Sequence, residues 1–351
     1  MPPEYSARGF RKVQEFPLAP GARRAVDLVV DANAQKWVLK SFDAQSFGGT
    51  AEDPAKELEL LRACAGPHVV KVQDSYHDGG RLFVVMEHAE GGELASRIQK
   101  ARSSRQPFGE LQVAQWFRQA ASALDHVHSC LVLHRDFTSK NLLLNSEDQV
   151  RLCDFGVARR LRSSDELAVT VVGTPSYLSP EMCEEQPYTL KSDVWALGCV
   201  LFELLALRHP FAEAANLMDM MDKIVARPLP TVPESCSAVL KRLSAALLER
   251  DPDRRPTAAA AMKIIGREHL QAQELADQRA TSSQMFQPKL SSTQRTRTSG
   301  LLSPKAAGSR PPTATLCGQA PPLSRMCSRE LRRTPLRLAG ESALRVGGLR
   351  P

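Results

Sequence analysis

Short apolar segments crowd the start of this chain and then give way to helical periodicity, which limits the fold more than any other feature. FRKVQEF (10–16), AVDLVV (25–30), KWVLKSF (36–42), VVKVQDSY (69–76) and RLFVVME (81–87) are alternating or apolar runs, the pattern of strands in an antiparallel sheet. Between the third and fourth lies DPAKELELLRACAG, in which Asp53 can cap a helix, Pro54 suits its first position and Gly66 stops it. From residue 93 onward helical patterns dominate, as in LQVAQWFRQAASALDHVHS and TLKSDVWALGCVLFELLAL. The expected class is therefore α+β and bilobal, with a small antiparallel β-sheet lobe carrying one helix and a larger, mainly helical lobe.

Composition narrows the setting. With 351 residues, 42% hydrophobic and 24% charged, the chain can bury a large core. Eight cysteines stand singly from Cys64 to Cys327 with no CxxC pair, and MPPEYSARGF has no apolar stretch resembling a signal peptide, so reduced thiols in the cytosol or nucleus are expected. The run VWALGCVLFELLAL (194–207) falls short of the ~18 residues that suggest a membrane span. It reads as a core helix, and no membrane partner is expected. The net charge of +7 is uneven, because residues 271–351 hold thirteen Lys/Arg against four Asp/Glu and leave the remainder at −2. That Ser-, Pro- and Arg-rich tail lacks a sustained apolar pattern, so disorder is expected there.

Five short motifs follow one another in the helical half: HRDFTSKN (134–141), DFG (154–156), GTPSYLSPE (173–181), DVWALG (193–198) and RRP (254–256). Each alone could arise by chance, but their order and separations resemble the signature set of eukaryotic protein kinases. The stretch from GTPSYLSPE through LALRHPF is similar to the NIMA-related (Nek) Ser/Thr kinases, and the likeness covers about residues 10–270. It implies a protein kinase domain with an N-lobe at about 10–86, a hinge at 87–92 and a C-lobe at 93–270, followed by the tail at 271–351. It also implies ATP and Mg2+ as cofactors, Ser/Thr hydroxyls of protein substrates as acceptors, and a cytoplasmic setting tied to the cell cycle, centrosome or cilium, with cytoskeleton or nucleus as other placements.

The same resemblance distributes roles. Lys40 is expected to hold the α- and β-phosphates and to be held by Glu57, 17 positions on; the alternative is a surface lysine and a solvated carboxylate. Asp136 is expected to orient the substrate hydroxyl, and Asn141 and Asp154 to bind magnesium, although in isolation each would be a cap or turn residue. Met86 and the hinge Glu87-His88-Ala89 would border the adenine, Val38 and Leu143 would sandwich it, and Gly21 and Ala25 would lie over the nucleotide. Glu181 and Arg255 are the implied ion pair anchoring the activation segment. Thr174 is assigned to the substrate platform near Asp136. Thr170 is the implied phosphosite, with Arg135 as its partner and Ser163 and Ser164 as other hydroxyls.

Two departures from the family pattern keep alternatives open. The phosphate loop reads PLAPGARRA (17–25), with Gly21 its only glycine, so its backbone can offer fewer N–H groups to phosphate. Arg23 and Arg24 are either compensating cations or, as the preferred reading, solvated surface charges. Thr138 stands two residues after Asp136, where Ser/Thr kinases place a lysine, while Lys140 offers a cation from four residues after it. A pseudokinase scaffold with weak ATP binding is therefore the alternative to an active kinase, and an adaptor binding tubulin or nucleic acid through the basic tail is a third reading. Cys153, next to Asp154, is expected either to face the phosphate end of the pocket as a thiolate favoured by Lys40 or to pack as an inert thiol.

Overall fold

The computed structural model describes residues 9–16, 24–43, 53–163, 166–168 and 173–266. Strands β1 (Arg11–Glu15), β2 (Arg24–Val30), β3 (Lys36–Asp43), β4 (Val72–Asp78) and β5 (Arg81–Glu87) form one antiparallel sheet in the order β1-β2-β3-β5-β4. The two faces follow from the period of a strand. Val29, Leu39, Tyr76, Phe83 and Val85 cluster on one side, while Phe42, Leu82 and Val84 pack with Leu58 on the other. Lys40, two residues before Phe42, shares the second face, and its ammonium lies 5.3 Å from the Phe42 ring centre.

Helix α1 (Pro54–Ala63) supplies Leu58 to that face. Asp53 caps it by accepting the Ala55 N–H, Pro54 occupies the first turn, and the helix ends at Cys64, two residues before Gly66. The fourth strand starts at Val72, three residues later than the apolar pattern suggests. Its first residues serve another partner: Val70 donates its N–H to the Leu152 carbonyl and Val69 forms a parallel bridge to Leu152. Backbone groups that must be paired can thus draw an apolar pair out of its own strand.

The helical region contains β6 (Gly92–Glu93), α2 (Leu94–Ser104), α3 (Glu110–Ser129), β7 (Val132–Leu133), β8 (Leu142–Leu144), β9 (Val150–Leu152), β10 (Arg159–Arg160), α4 (Pro180–Cys183), α5 (Leu190–Ala206), α6 (Leu217–Val225) and α7 (Ala238–Leu247). Strands β6, β8 and β9 make a small sheet, and β7 pairs with β10. Helix α5 is buried without a break from Ser192 to Leu205, as expected of a mostly apolar helix whose few polar side chains, Ser192, Asp193 and Glu203, find hydrogen-bond partners. Gly198 permits this: a Cβ there would stand 2.8 Å from the Leu247 Cβ on α7, closer than side chains tolerate. Trp116, Phe117, Trp195 and Phe202 anchor the core between α3 and α5. Among the described residues no helix is long and apolar enough to cross a membrane. The tail at 271–351 lies outside the described residues.

Candidate active site

On the sheet side, register and helix placement bring charged groups together. Lys40 Nζ donates to Glu57 Oε1 at 2.5 Å and to Asp154 Oδ1 at 3.2 Å, and the side chains of Lys40 and Glu57 are only 8% and 10% exposed. Burial works against the ammonium, yet Glu57 and Asp154 outweigh it and raise its pKa above the ordinary lysine value. Asp154 sits at a left-handed φ of 59° just before buried Phe155. Burial opposes its ionisation too, but Lys40 and then Arg24 hold it well below the usual carboxylate range.

Arg24 corrects the preference for a solvated charge. It is the first residue of β2, and its guanidinium reaches Asp154 with Nη1 at 3.4 Å from Oδ1 and Nη2 at 3.3 Å from Oδ2. Cys153 takes the second of its two expected settings, the packed thiol. Burial and then the neighbouring Asp154 push its thiol up, and Lys40 does not offset them, so it belongs with the packed thiols.

At the hinge, Val38 pairs with both Leu28 and Met86 across the sheet, and Ala25 pairs with Ser41. Val38, Met86 and Ala25 are half-buried, and Ala89 is buried. Leu143 is the half-buried centre of β8, flanked by fully buried Leu142 and Leu144. The Glu87 carboxylate accepts the Lys71 N–H at 2.9 Å and meets Arg151 at 3.3 Å, so it ties the end of β5 to β9. Gly21 lies outside the described residues.

The other side of the site is hung on α5. Asp193, buried in its first turn, accepts the backbone N–H groups of His134 and Arg135, each at 2.9 Å, and meets His128 Nε2 at 3.0 Å. Burial disfavours its charge, but His128 holds its pKa below the ordinary value. These bonds keep Arg135 at a φ of 64°, a conformation that would otherwise relax. Asp136, next in the chain, is surrounded by neutral donors. Its Oδ1 accepts the Thr174 hydroxyl at 2.6 Å and the Thr174 N–H at 3.1 Å, and its Oδ2 accepts Asn141 Nδ2 at 2.8 Å.

Gly173 makes the Thr174 contact possible. It adopts a φ of +123°, and a Cβ on it would stand 2.3 Å from the Arg135 carbonyl oxygen. The adjoining platform is tied down by Tyr177, whose hydroxyl donates to Glu203 Oε2 at 2.7 Å and meets Ser139 Oγ at 3.1 Å. Thr138 is buried and Lys140 exposed, and both line a cavity of about 550 Å³ with Thr174, Tyr177, Glu203 and Arg208.

Arg135 spends its guanidinium on the Val157 carbonyl at 2.6 Å and the Tyr188 hydroxyl at 3.3 Å. Thr170 and Ser164 lie outside the described residues, and Ser163 is exposed. Glu181 of α4 and Arg255 make a two-pronged buried pair at 3.0 and 3.1 Å, with Ser192 donating to Glu181 at 2.6 Å. Burial opposes the Glu181 charge, but Arg255 lowers its pKa. Sequence reasoning assigned no role to Asp193 or to the Tyr177–Glu203–Ser139 contacts; only the motif DVWALG pointed near the first.

The donor set suits magnesium. The Asn141 amide nitrogen is committed to Asp136, which leaves its amide oxygen as the atom for a cation, and Asp154 adds a carboxylate. Two oxygen donors match a hard ion that keeps water and phosphate oxygens as its remaining ligands.

A family model described as protein kinase domain matches residues 20–264. Similar proteins include serine/threonine-protein kinase Nek1 of Mus musculus, 42% identical over 67% of this chain and 19% of that protein. Nek5 of Homo sapiens is 41% identical over 60% of this chain and 30% of its own length. Nek6 of Oryza sativa subsp. japonica is 37% identical over 68% and 44%. The chain thus spans less than half the length of each of these curated relatives. With a family match over most of its length and a sheet-then-helix fold to go with it, the chain belongs to the protein kinase family, and the relatives named above are Nek serine/threonine kinases.

Proposed function

We propose that this chain transfers the γ-phosphate of magnesium-ATP to serine or threonine hydroxyls of protein substrates. The observation that carries the reading is Asp136, a carboxylate oriented on both oxygens by Asn141 and Thr174 and left without a cationic partner among those bonds. Such a group can accept the hydrogen bond of an incoming hydroxyl and then its proton. Lys40, steadied by Glu57, orients the α- and β-phosphates, and Asn141 and Asp154 hold the metal. Bound magnesium supplies charge neutralisation at the phosphates. Lys140, exposed beside Thr138, stands in for the missing lysine near the γ-phosphate. Met86, Ala89, Val38 and Leu143 form the adenine surround in this reading, with Ala25 above it; Gly21, outside the described residues, is assigned to the nucleotide by the family likeness alone.

Regulation by phosphate on Thr170, a cytoplasmic place and a cell-cycle, centrosome or cilium setting belong to the same proposal and rest on the family likeness. An acidic partner for the tail rests on its charge alone. One feature favours a second reading, a pseudokinase scaffold: the phosphate loop at 17–25 has a single glycine and two prolines.

Radiolabelled ATP transfer to a generic protein separates these readings. The native chain is expected to incorporate label, and Asp136→Asn to lose about 10²–10⁴-fold of that rate. Equal rates in both would sink the assignment, and ATP binding without transfer in the native chain would establish the scaffold.

A further inference from the structure

We infer that Arg24 is a phosphate-binding residue of this site, one that gives the chain a measurable affinity for ATP without a divalent cation. The inference rests on the phosphotransfer reading for the identity of the ligand. The guanidinium meets both oxygens of Asp154, at 3.4 and 3.3 Å, and Lys40 Nζ meets one of the same oxygens at 3.2 Å. Two cations from neighbouring strands therefore converge on one carboxylate. A Cβ built on Gly156 would lie 3.5 Å from Glu57 Oε2 and 3.9 Å from Arg24 Nη1, so the guanidinium stands over the end of the DFG motif, inside the charged cluster.

Lys40, Glu57 and Asp154 alone sum to −1, which repels a polyphosphate until a metal arrives. Arg24 brings the cluster to neutrality. Its contacts to Asp154 are at the long end for hydrogen bonds, and its side chain is 36% exposed, so it has room and reason to exchange partners. Phosphate oxygens offer the planar fork two shorter, charge-assisted bonds.

The composition of the preceding loop explains why such a cation is needed. Pro17 and Pro20 lack N–H donors and Gly21 is the only glycine of 17–25, so a side chain takes up work that a glycine-rich loop does with its backbone. When the guanidinium passes to phosphate, both Asp154 oxygens are released for a metal, whose charge then takes over the neutralisation that Arg24 supplies in its absence.

Calorimetric titration of ATP into the full chain, in EDTA and separately in excess magnesium chloride, tests this. The native chain is expected to bind in both, Arg24→Gln to lose at least about 10-fold in EDTA while changing less than about 3-fold with magnesium, and Arg24→Lys, which keeps the charge without the fork, to recover part of the loss. Equal weakening in both buffers would show a merely structural role and overturn the inference, as would no weakening in either or undetectable native binding in EDTA. Thermal melting of each variant checks that the fold is kept. Phosphate transfer assayed on the same samples separates the two claims. The EDTA effect without native transfer sinks the phosphotransfer reading alone, whereas transfer without the EDTA effect sinks the role of Arg24.

Discussion

Asp154 and Asp136 are two carboxylates of one site, and they are held in opposite ways. Asp154 faces Lys40 and Arg24 at 3.2–3.4 Å, both delivered by the sheet. Asp136 is held by the amide of Asn141 and by the hydroxyl and N–H of Thr174 at 2.6–3.1 Å, on a loop whose backbone is fastened to Asp193 of α5. Cations balance the first charge, and in the proposed function these partners give way to metal and phosphate. Neutral donors aim the second without cancelling its charge, which leaves it a competent acceptor for a hydroxyl proton. The half proposed to grip the ligand is thus built from ion pairs and the half proposed to accept the proton from hydrogen bonds to neutral donors.

The sharpest way to break this contrast is to undermine the scaffold under the Asp136 half. Glu181→Gln leaves the Arg255 guanidinium, fully buried, without its charge partner. A loss of about 3–5 kcal/mol of stability is expected, as for other broken buried pairs. Urea unfolding measures it, and a loss below about 1 kcal/mol would show that the carbonyls of Glu249, Lys191 and Arg250, which also accept from Arg255, suffice to hold the buried charge.

Gly173→Ala attacks the aim of Asp136 with less harm to the core. The new methyl cannot fit 2.3 Å from the Arg135 carbonyl, so Thr174 must draw back from Asp136. Turnover is expected to fall about 10²-fold with ATP affinity nearly unchanged, because the cation-held half is untouched. Parallel loss of ATP binding would mean the two halves are one mechanical unit.

The smallest effect concerns acid. Burial pushes His209 down to about 4, and its Nδ1 accepts the Phe211 N–H at 3.2 Å beside Tyr177, so the folded chain keeps this ring neutral. Because the unfolded ring protonates first, near about 6.5, His209 makes stability fall as pH drops from there toward about 4 and contributes nothing above that window. Urea midpoints at about pH 7.5 and about pH 5 should therefore differ more for the native chain than for His209→Asn. An equal drop in both would assign the acid sensitivity to other groups.

Strand alternation, the Asp53-Pro54 helix start and the apolar run of α5 from Val194 to Phe202 are all legible in the amino-acid sequence, because each depends on residues that are neighbours along the chain. The ordered motifs likewise mark Asp136, Asn141 and Asp154. Three features are not legible there. Arg24 meets a carboxylate 130 positions away, Asp193 fastens a loop nearly 60 positions before it, and Tyr177 links Ser139 to Glu203. No periodicity records such pairings. Cys153 makes the same point in reverse: its neighbour Asp154 and the opposing Lys40 are foreseeable, but burial outweighs the lysine.

By itself, then, the sequence determined which elements form and which side chains are the candidates for the proposed phosphotransfer, through local periodicity, caps and motif spacing. Tertiary structure alone decided which charges balance which, that Arg24 joins Lys40 on Asp154, and that Asp136 is aimed by neutral donors. The physical reason is that ion pairing, desolvation and hydrogen bonding depend on distance and burial, and position along a chain encodes neither.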